Sequence, residues 1–237
     1  GNYQTAWLTR GSLSDSYIKE VLRENKETNW RDQFLRTAAQ QNHFLSVSGN
    51  GNNVNYHFGA GYQNEKGIFK GDNMERFNIK GTVDTRITDY ISAGISFNGA
   101  YTNRRTIDDT AVGSAFRLNP LCRAYDDEGN IIANPGMAAA LGTSGDQFTS
   151  TANPLLDLDG SFYSYKTYQL LSNMYLEIRP IKDVSFRSTF SPSYTAVREG
   201  QYEDSATSAR NNKDNRAYSD NYHKFQWTWD NQINYNH

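Results

Sequence analysis

The sequence predicts an all-β fold, an antiparallel transmembrane β-barrel segment of about seven long strands with a short helical N-terminal part, on three observations. Seven stretches between residues 43 and 235 alternate apolar and polar residues with a period of two, the mark of a strand whose faces meet unlike surroundings. Several run 10 to 14 residues, whereas soluble strands commonly run about 5 to 6 and tilted membrane strands need about 9 to 11. The connections alternate short and long, as in membrane barrels with tight turns at one rim and long loops at the other.

In chain order, "SLSDSYIKEVLRENKE" at 12–27 sets Tyr17, Ile18, Val21 and Leu22 on one helical face behind Ser and Asp caps. A second helical turn starts at Asn29 and buries Trp30 and Phe34. "HFLSVSG" at 43–49 is the first strand. In "VNYHFGAGY" the apolar face is Tyr56, Phe58, Ala60 and Tyr62; in "RFNIKGTVDTR" it is Phe77, Ile79, Gly81 and Val83. "YISAGISFNGAY" sets Ile91, Ala93, Ile95, Phe97, Gly99 and Tyr101 against Ser92, Gly94, Ser96, Asn98 and Ala100. "YQLLSNMYLEIR" sets Leu170, Ser172, Met174, Leu176 and Ile178 on one side, and "VSFRSTFSPSY" sets Val184, Phe186, Phe190 and Tyr194. The last, "KFQWTWDNQINY", sets Phe225, Trp227, Trp229, Ile233 and Tyr235.

Opposite these apolar sets fall Lys80, Asp84, Arg86, Glu177, Arg179, Arg187, Lys224 and Asp230. Tyr62, Tyr90, Tyr101, Tyr194 and Tyr235 lie near strand ends, as interfacial aromatic girdles do. The Ser/Gly/Asn face is therefore expected to be wet and the Ile/Phe face to meet lipid. The short connections are "NGNN" at 50–53, "ITDY" at 87–90 and "PIKD" at 180–183; the long ones are expected over about 64–75, 103–164 and 196–221.

Composition agrees. Of 237 residues 37% are hydrophobic and 21% charged, and the mean hydropathy of -0.79 suits strands that are apolar on one face only. The 16 Tyr, 12 Phe and 4 Trp argue against disorder. A net charge of -2 gives no footprint for nucleic acid. Cys122 stands alone, which excludes an intramolecular disulfide framework. No apolar run approaches the roughly 20 residues of a membrane helix, and Gly1 opens no apolar leader.

Chemistry-bearing motifs are sparse. Asp108 and Asp109 adjoin each other with no opposed second acid, so they read as a solvated loop and not as a glycosidase pair. "YDDEGN" at 125–130 shares acidic character with a calcium loop but lacks its spaced ligands and distal Glu, and reads as a turn between two short strands. No cofactor is expected beyond this weak candidate for loop calcium. His43, His57, His223 and His237 have no metal-ligand spacing. Neither a nucleophile elbow nor a phosphate loop is present, so no catalytic residue is assigned and an enzyme is not expected. The candidate contact residues are the loop aromatics Phe116, Tyr125, Phe148, Phe162 and Tyr163, whose ring faces suit sugars or peptide side chains.

"TNWRDQFLRTAAQQNHFLSVSGNGNNVNYHFGAGYQNEKGIFK" at 28–70 resembles the SusC/RagA family of TonB-linked outer-membrane transporters. The likeness rests on Trp30, Phe34, Arg36, Thr37, Asn42, Leu45, Ser46, Val47, Ser48, Gly49, Tyr62, Glu65, Gly67 and Ile68, and continues through residues 76–101 and "NPLLDLDG" at 153–160. It implies a location in the outer membrane, a barrel of some 22 strands with an N-terminal plug, energy from TonB, a SusD-like surface lipoprotein as partner, and oligosaccharides or peptides as cargo. Neither a TonB box nor a plug is recognisable and seven strands cannot close so wide a barrel, so the chain reads as a segment. Residues 1–41 are expected to be a lead-in at the plug-to-barrel junction and 42–237 a partial barrel. The competing reading is a non-transporting surface β-protein, either an adhesin or a soluble β-sandwich that binds a partner.

Overall fold

The computed structural model describes residues 15–136, 151–210 and 212–236, with side chains from Ile18 onward, Thr110 excepted. Two short helices come first. In α1 (Asp15–Arg23), Ile18 and Val21 are buried, three residues apart. Leu22, expected on the same face, is instead 51% exposed, because the covered stripe runs between Ile18 and Val21 and position 22 lies about 40° beyond Ile18 on the side away from Val21. In α2 (Trp30–Phe34) the Asn29 side chain accepts from the backbone N–H of Asp32, and the two aromatics four residues apart are buried, as the sequence predicts.

Seven strands follow: β1 (Gln40–Asn50), β2 (Val54–Lys66), β3 (Asn73–Arg86), β4 (Ile91–Thr106), β5 (Ser161–Ile181), β6 (Val184–Glu203) and β7 (Arg216–Tyr235). They pair in sequence order, every neighbour antiparallel. Tight turns at 51–53, 87–90 and 182–183 occupy one rim and the connections 67–72, 107–160 and 204–215 the other. The connection expected over 64–75 is only six residues long, since β2 and β3 run on to Lys66 and from Asn73. Gly71, at φ +92°, makes its bend, and a side chain there would also meet Ile107. Strands β5, β6 and β7 likewise extend well past the alternating stretches.

Register carries one face coherently across the whole sheet. His43, Tyr62, Phe77, Tyr101 and Tyr168 pair laterally in one row. Below it come Leu45, Ala60, Ile79, Gly99, Leu170, Tyr194 and Phe225, then Val47, Phe58, Gly81, Phe97 and Ser172. From the tyrosine row down to Ile91, Ile178, Phe186 and Ile233 this face holds no Asp, Glu, Lys or Arg. On β5 the span from Tyr168 to Ile178 is roughly ten steps of about 3.3 Å, which at a tilt of about 40° makes a band about 25 Å tall.

Nothing among the described residues covers this band. Leu45 is 78% exposed, Trp229 62% and Ile233 75%. A soluble sandwich would bury such side chains against a second sheet. The buried apolar cluster lies elsewhere, in the connections at the long-connection rim.

The opposite face is polar, with the charges where the alternation puts them. Tyr175 donates its hydroxyl to Asp84 at 2.8 Å, and the Arg187 guanidinium lies 3.8 Å from the Tyr175 ring centre. Glu177 pairs with Arg179 at 2.6 Å and Arg187 at 3.7 Å. Gly94 lets Tyr175 lie flat, because a Cβ there would overlap both that ring and the Asp84 carboxylate. Lys80 sits 4.7 Å over the Phe44 ring.

Candidate functional site at the long-connection rim

The only compact, internally packed structure among the described residues is a cap on the rim of the long connections. It joins the lead-in to the β4–β5 connection, which contains α3 (Asp109–Arg117) and α4 (Leu155–Gly160). Trp30 and Phe34 pack with Ala111, Ala115, Leu118, Cys122, Ala124 and Leu155. The Trp30 indole N–H donates to the Asn119 carbonyl at 3.1 Å, and the Thr28 hydroxyl accepts from the Ala124 N–H at 2.8 Å. Cys122 is fully buried and burial pushes its thiol up to about 12, so it packs as a small apolar side chain and not as a nucleophile.

The same rim is stitched to the sheet by Arg36. Its guanidinium donates to the carbonyls of Gly67 at 3.0 Å and Asp72 at 2.7 Å, closing over the β2–β3 turn. Backbone bonds from Arg36 to Ile68 and from Lys70 to Phe34 run alongside. The lead-in is thus fixed to the rim opposite the tight turns.

"NPLLDLDG" owes its residues to a buried polar hub. The Asn153 amide donates to the carbonyls of Ala124 and Ile132, both at 2.9 Å, while its oxygen accepts from the Leu155 N–H at 3.0 Å. Asp157, four residues on, is buried: Oδ1 accepts from the Ser208 N–H at 2.9 Å and Oδ2 has no partner. Burial raises its pKa above the ordinary aspartate value, the Ser208 bond opposes this, and the nearby Asp108 and Glu203 add to the rise. The β6–β7 connection is tied on through Ser208 and through the Asp204 N–H to Gly160 carbonyl bond.

Beside this cap lies an open cleft of about 360 Å³, walled by Asn25 to Asn29, Gln33 and Arg123 to Asp127. Asp127 pairs with Lys26 at 2.8 Å and with Arg123 at 2.6 Å, and both cations hold its carboxyl below the usual range. "YDDEGN" forms the expected turn. Tyr125 pairs with Ile131, Asp126 accepts from the Asn130 N–H at 2.7 Å, and Gly129 takes φ +85°. The carboxylates of Asp126 and Asp127 are therefore engaged by a backbone N–H, an amide and two cations.

The loop aromatics named from the sequence do not converge. Tyr125, 40% exposed, lines the cleft; Phe116, 60% exposed, projects from α3. Phe162 and Tyr163 start β5 on opposite faces: Phe162 stacks on Tyr202 beneath Arg105, and Tyr163 donates to Asp108 at 2.9 Å. That bond makes Asp108 half-buried and partnered, where a solvated loop was expected. Phe148 lies outside the described residues. The residues that organise the cap, Arg36, Asn153 and Asp157, were visible in the sequence only as members of the family-like stretches.

No family model matches the chain. Among curated proteins it is similar to a TonB-dependent receptor of Formosa agariphila, 24% identical over 174 residues that make up 73% of this chain and 17% of the relative. It is also similar to the TonB-dependent receptor SusC of Bacteroides thetaiotaomicron, 30% identical over 105 residues, 43% of this chain and 10% of that one. Among solved structures the RagAB peptide transporter superposes with a TM-score of 0.69 at 18% identity, covering 89% of this chain and 24% of that one. The RagAB peptide importer in its open-open state also gives 0.69 at 18%, covering 88% and 23%. The SusC/RagA likeness expected from the sequence is borne out, and the sheet has the fold of a RagA barrel segment. The chain spans less than a fifth of the length of the curated relatives it matches.

Proposed function

We propose that the chain forms part of the wall and external cap of a TonB-dependent outer-membrane transporter that imports oligosaccharides or peptides together with a SusD-like surface lipoprotein. The observation that carries this reading is the apolar band: one face of seven paired strands holds no Asp, Glu, Lys or Arg over the height of a bilayer core, while the other face holds ion pairs. The relatives named as TonB-dependent receptors, SusC and a RagAB peptide transporter support a transport role and not an enzymatic one.

In this reading residues 42–237 are barrel wall and its loops. The lead-in up to residue 41 belongs to the external face and not to a plug-to-barrel junction, because residues 34–36 pair with the β2–β3 turn at the long-connection rim. A membrane barrel turns that rim outward. The cap then stands where incoming cargo and a surface lipoprotein meet the wall, and the cleft beside Tyr125 offers an aromatic face with amides and carboxylates around it.

The test is uptake. In the host, deleting the gene of the receptor that carries this chain is expected to abolish growth on one oligosaccharide or peptide source, and loss of TonB to have the same effect. Growth unchanged on every such source, with the protein present at the surface, refutes transport and favours the adhesin reading.

A further inference from the structure

The lipid-facing side changes character in a single two-residue step along the strands. Directly above the tyrosine row, the same face reads Gln41, Asn64, Glu75, Asn103, Lys166, Arg198 and Asn221, and above that Lys66, Asn73, Arg105, Ser164, Gly200 and Ser219. These two rows contain four cations and one carboxylate. The tight turns at the other rim carry Asp89, Lys182 and Asp183, so the excess of positive charge is confined to one edge of the band.

Three features show that these cations lack counter-charges among the described residues. Lys166 and Arg198 stand directly opposite each other in the β5–β6 ladder, an arrangement that like charges disfavour. Among the described residues none of Lys66, Arg105, Lys166 and Arg198 forms an ion pair. The one carboxylate nearby, Glu75, is engaged by neutral donors, the Asn64 amide at 3.2 Å and the Tyr62 hydroxyl at 3.4 Å.

Lys66 and Arg105 line one hollow of about 220 Å³ with Asn64, Asn73, Glu75 and Asn103, and Arg105 is steadied 5.0 Å over the Phe162 ring. The hollow opens on the same face as the apolar band and begins where the band ends. A ligand held there has its polar part against amides and cations and its apolar part along Tyr62, Phe77 and Tyr101.

We propose that this edge binds the phosphorylated headgroup of an outer-leaflet lipid, its phosphate between Lys66 and Arg105 and a further anionic group on Lys166 and Arg198, its acyl chains on the band below. Charge complementarity and continuity with the apolar band select a lipid over a free anion. The inference rests on the proposed orientation of the band toward lipid.

The experiment uses the full receptor carrying this chain, reconstituted in phosphatidylcholine vesicles doped with a phosphorylated glycolipid or with its enzymatically dephosphorylated twin. Retained glycolipid is counted by mass spectrometry after detergent extraction. The wild type is expected to enrich the phosphorylated form, and Lys66→Gln with Arg105→Gln, or Lys166→Gln with Arg198→Gln, to lower that enrichment about fivefold for each side chain neutralised. Lys66→Arg and Lys166→Arg are expected to retain it. Neutralising the opposite-face Arg76 and Arg104 serves as the matched control and is expected to leave it unchanged. Equal enrichment of both forms, enrichment that survives all four substitutions, or full displacement by millimolar inorganic phosphate overturns the assignment. Brominated acyl chains in the same vesicles report the orientation separately. Quenching that disappears in Trp227→Phe/Trp229→Phe shows the band in lipid even when headgroup selectivity fails, whereas its absence refutes the lipid-facing reading itself.

Discussion

Arginine at Ser172 tests the lipid-facing reading with little loss of apolar contact to confuse it. Ser172 lies on the uncharged face beside Phe97, about four residue steps below Tyr168 and six above Ile178, hence close to the middle of the band. A charged residue facing lipid at the midplane costs about 2–4 kcal/mol and close to the interface about 0–1 kcal/mol. Ser172→Arg is therefore expected to lower stability by about 3 kcal/mol, and Ala93→Arg, nearer the lower edge, by about 1 kcal/mol. Leu171→Arg is the decisive companion. Leu171 is the more apolar residue, but it is 54% exposed on the polar face, and a charge there meets water, so the expected cost is below about 1 kcal/mol. The assay is guanidinium unfolding of the full receptor in vesicles, followed by tryptophan fluorescence. If Leu171→Arg costs as much as Ser172→Arg, or if depth makes no difference, the apolar band does not face lipid and the barrel reading fails.

Trp30→Ala removes the largest side chain of the cap and its bond to Asn119, and is expected to cost about 3–5 kcal/mol of local stability; faster tryptic cleavage after Arg117 and Arg123, with the strands still protected, is the readout. Asn153→Ala leaves the Ile132 carbonyl and the Leu155 N–H without their partner and takes one of two bonds from the Ala124 carbonyl, and is expected to cost about 2–4 kcal/mol, seen as earlier thermal loss of the cap in hydrogen exchange over residues 119–136. Asp157 has its folded pKa raised, so its contribution to cap stability is complete below the ordinary aspartate value of about 3.9 and is lost as pH rises through the raised folded value. Asp157→Asn keeps an oxygen for Ser208 and is expected to stabilise the cap at neutral pH and to flatten this dependence; an unchanged pH profile of cap protection would count against the buried carboxylate. Expressed alone in buffer, residues 1–237 expose both edge strands and the whole band, and are expected to elute as aggregates or only with detergent; a monodisperse monomer with a sharp thermal transition argues for a soluble fold.

Period-two alternation by itself located all seven strands, their order of faces and the tight turns, because over the height of the apolar band one face is apolar and the other polar. Where the strands rise past the band that contrast vanishes. "SFYSYKT" in β5, "TAVREGQYE" in β6 and "RAYSDNYH" in β7 are strand with both faces in polar surroundings, so no alternation marks them. The helix at Trp30 was legible from its cap and its two aromatics, since both signals are local. Tertiary structure alone decided that the lead-in belongs to the rim of the long connections, that Arg36, Asn153 and Asp157 build the cap, and that Phe116, Tyr125, Phe162 and Tyr163 stand apart. These depend on carbonyls and amides from segments tens of residues distant. The cation edge above the tyrosine row was hidden for the same reason: Lys66, Arg105, Lys166 and Arg198 come from four strands and become neighbours only through the register of the ladders.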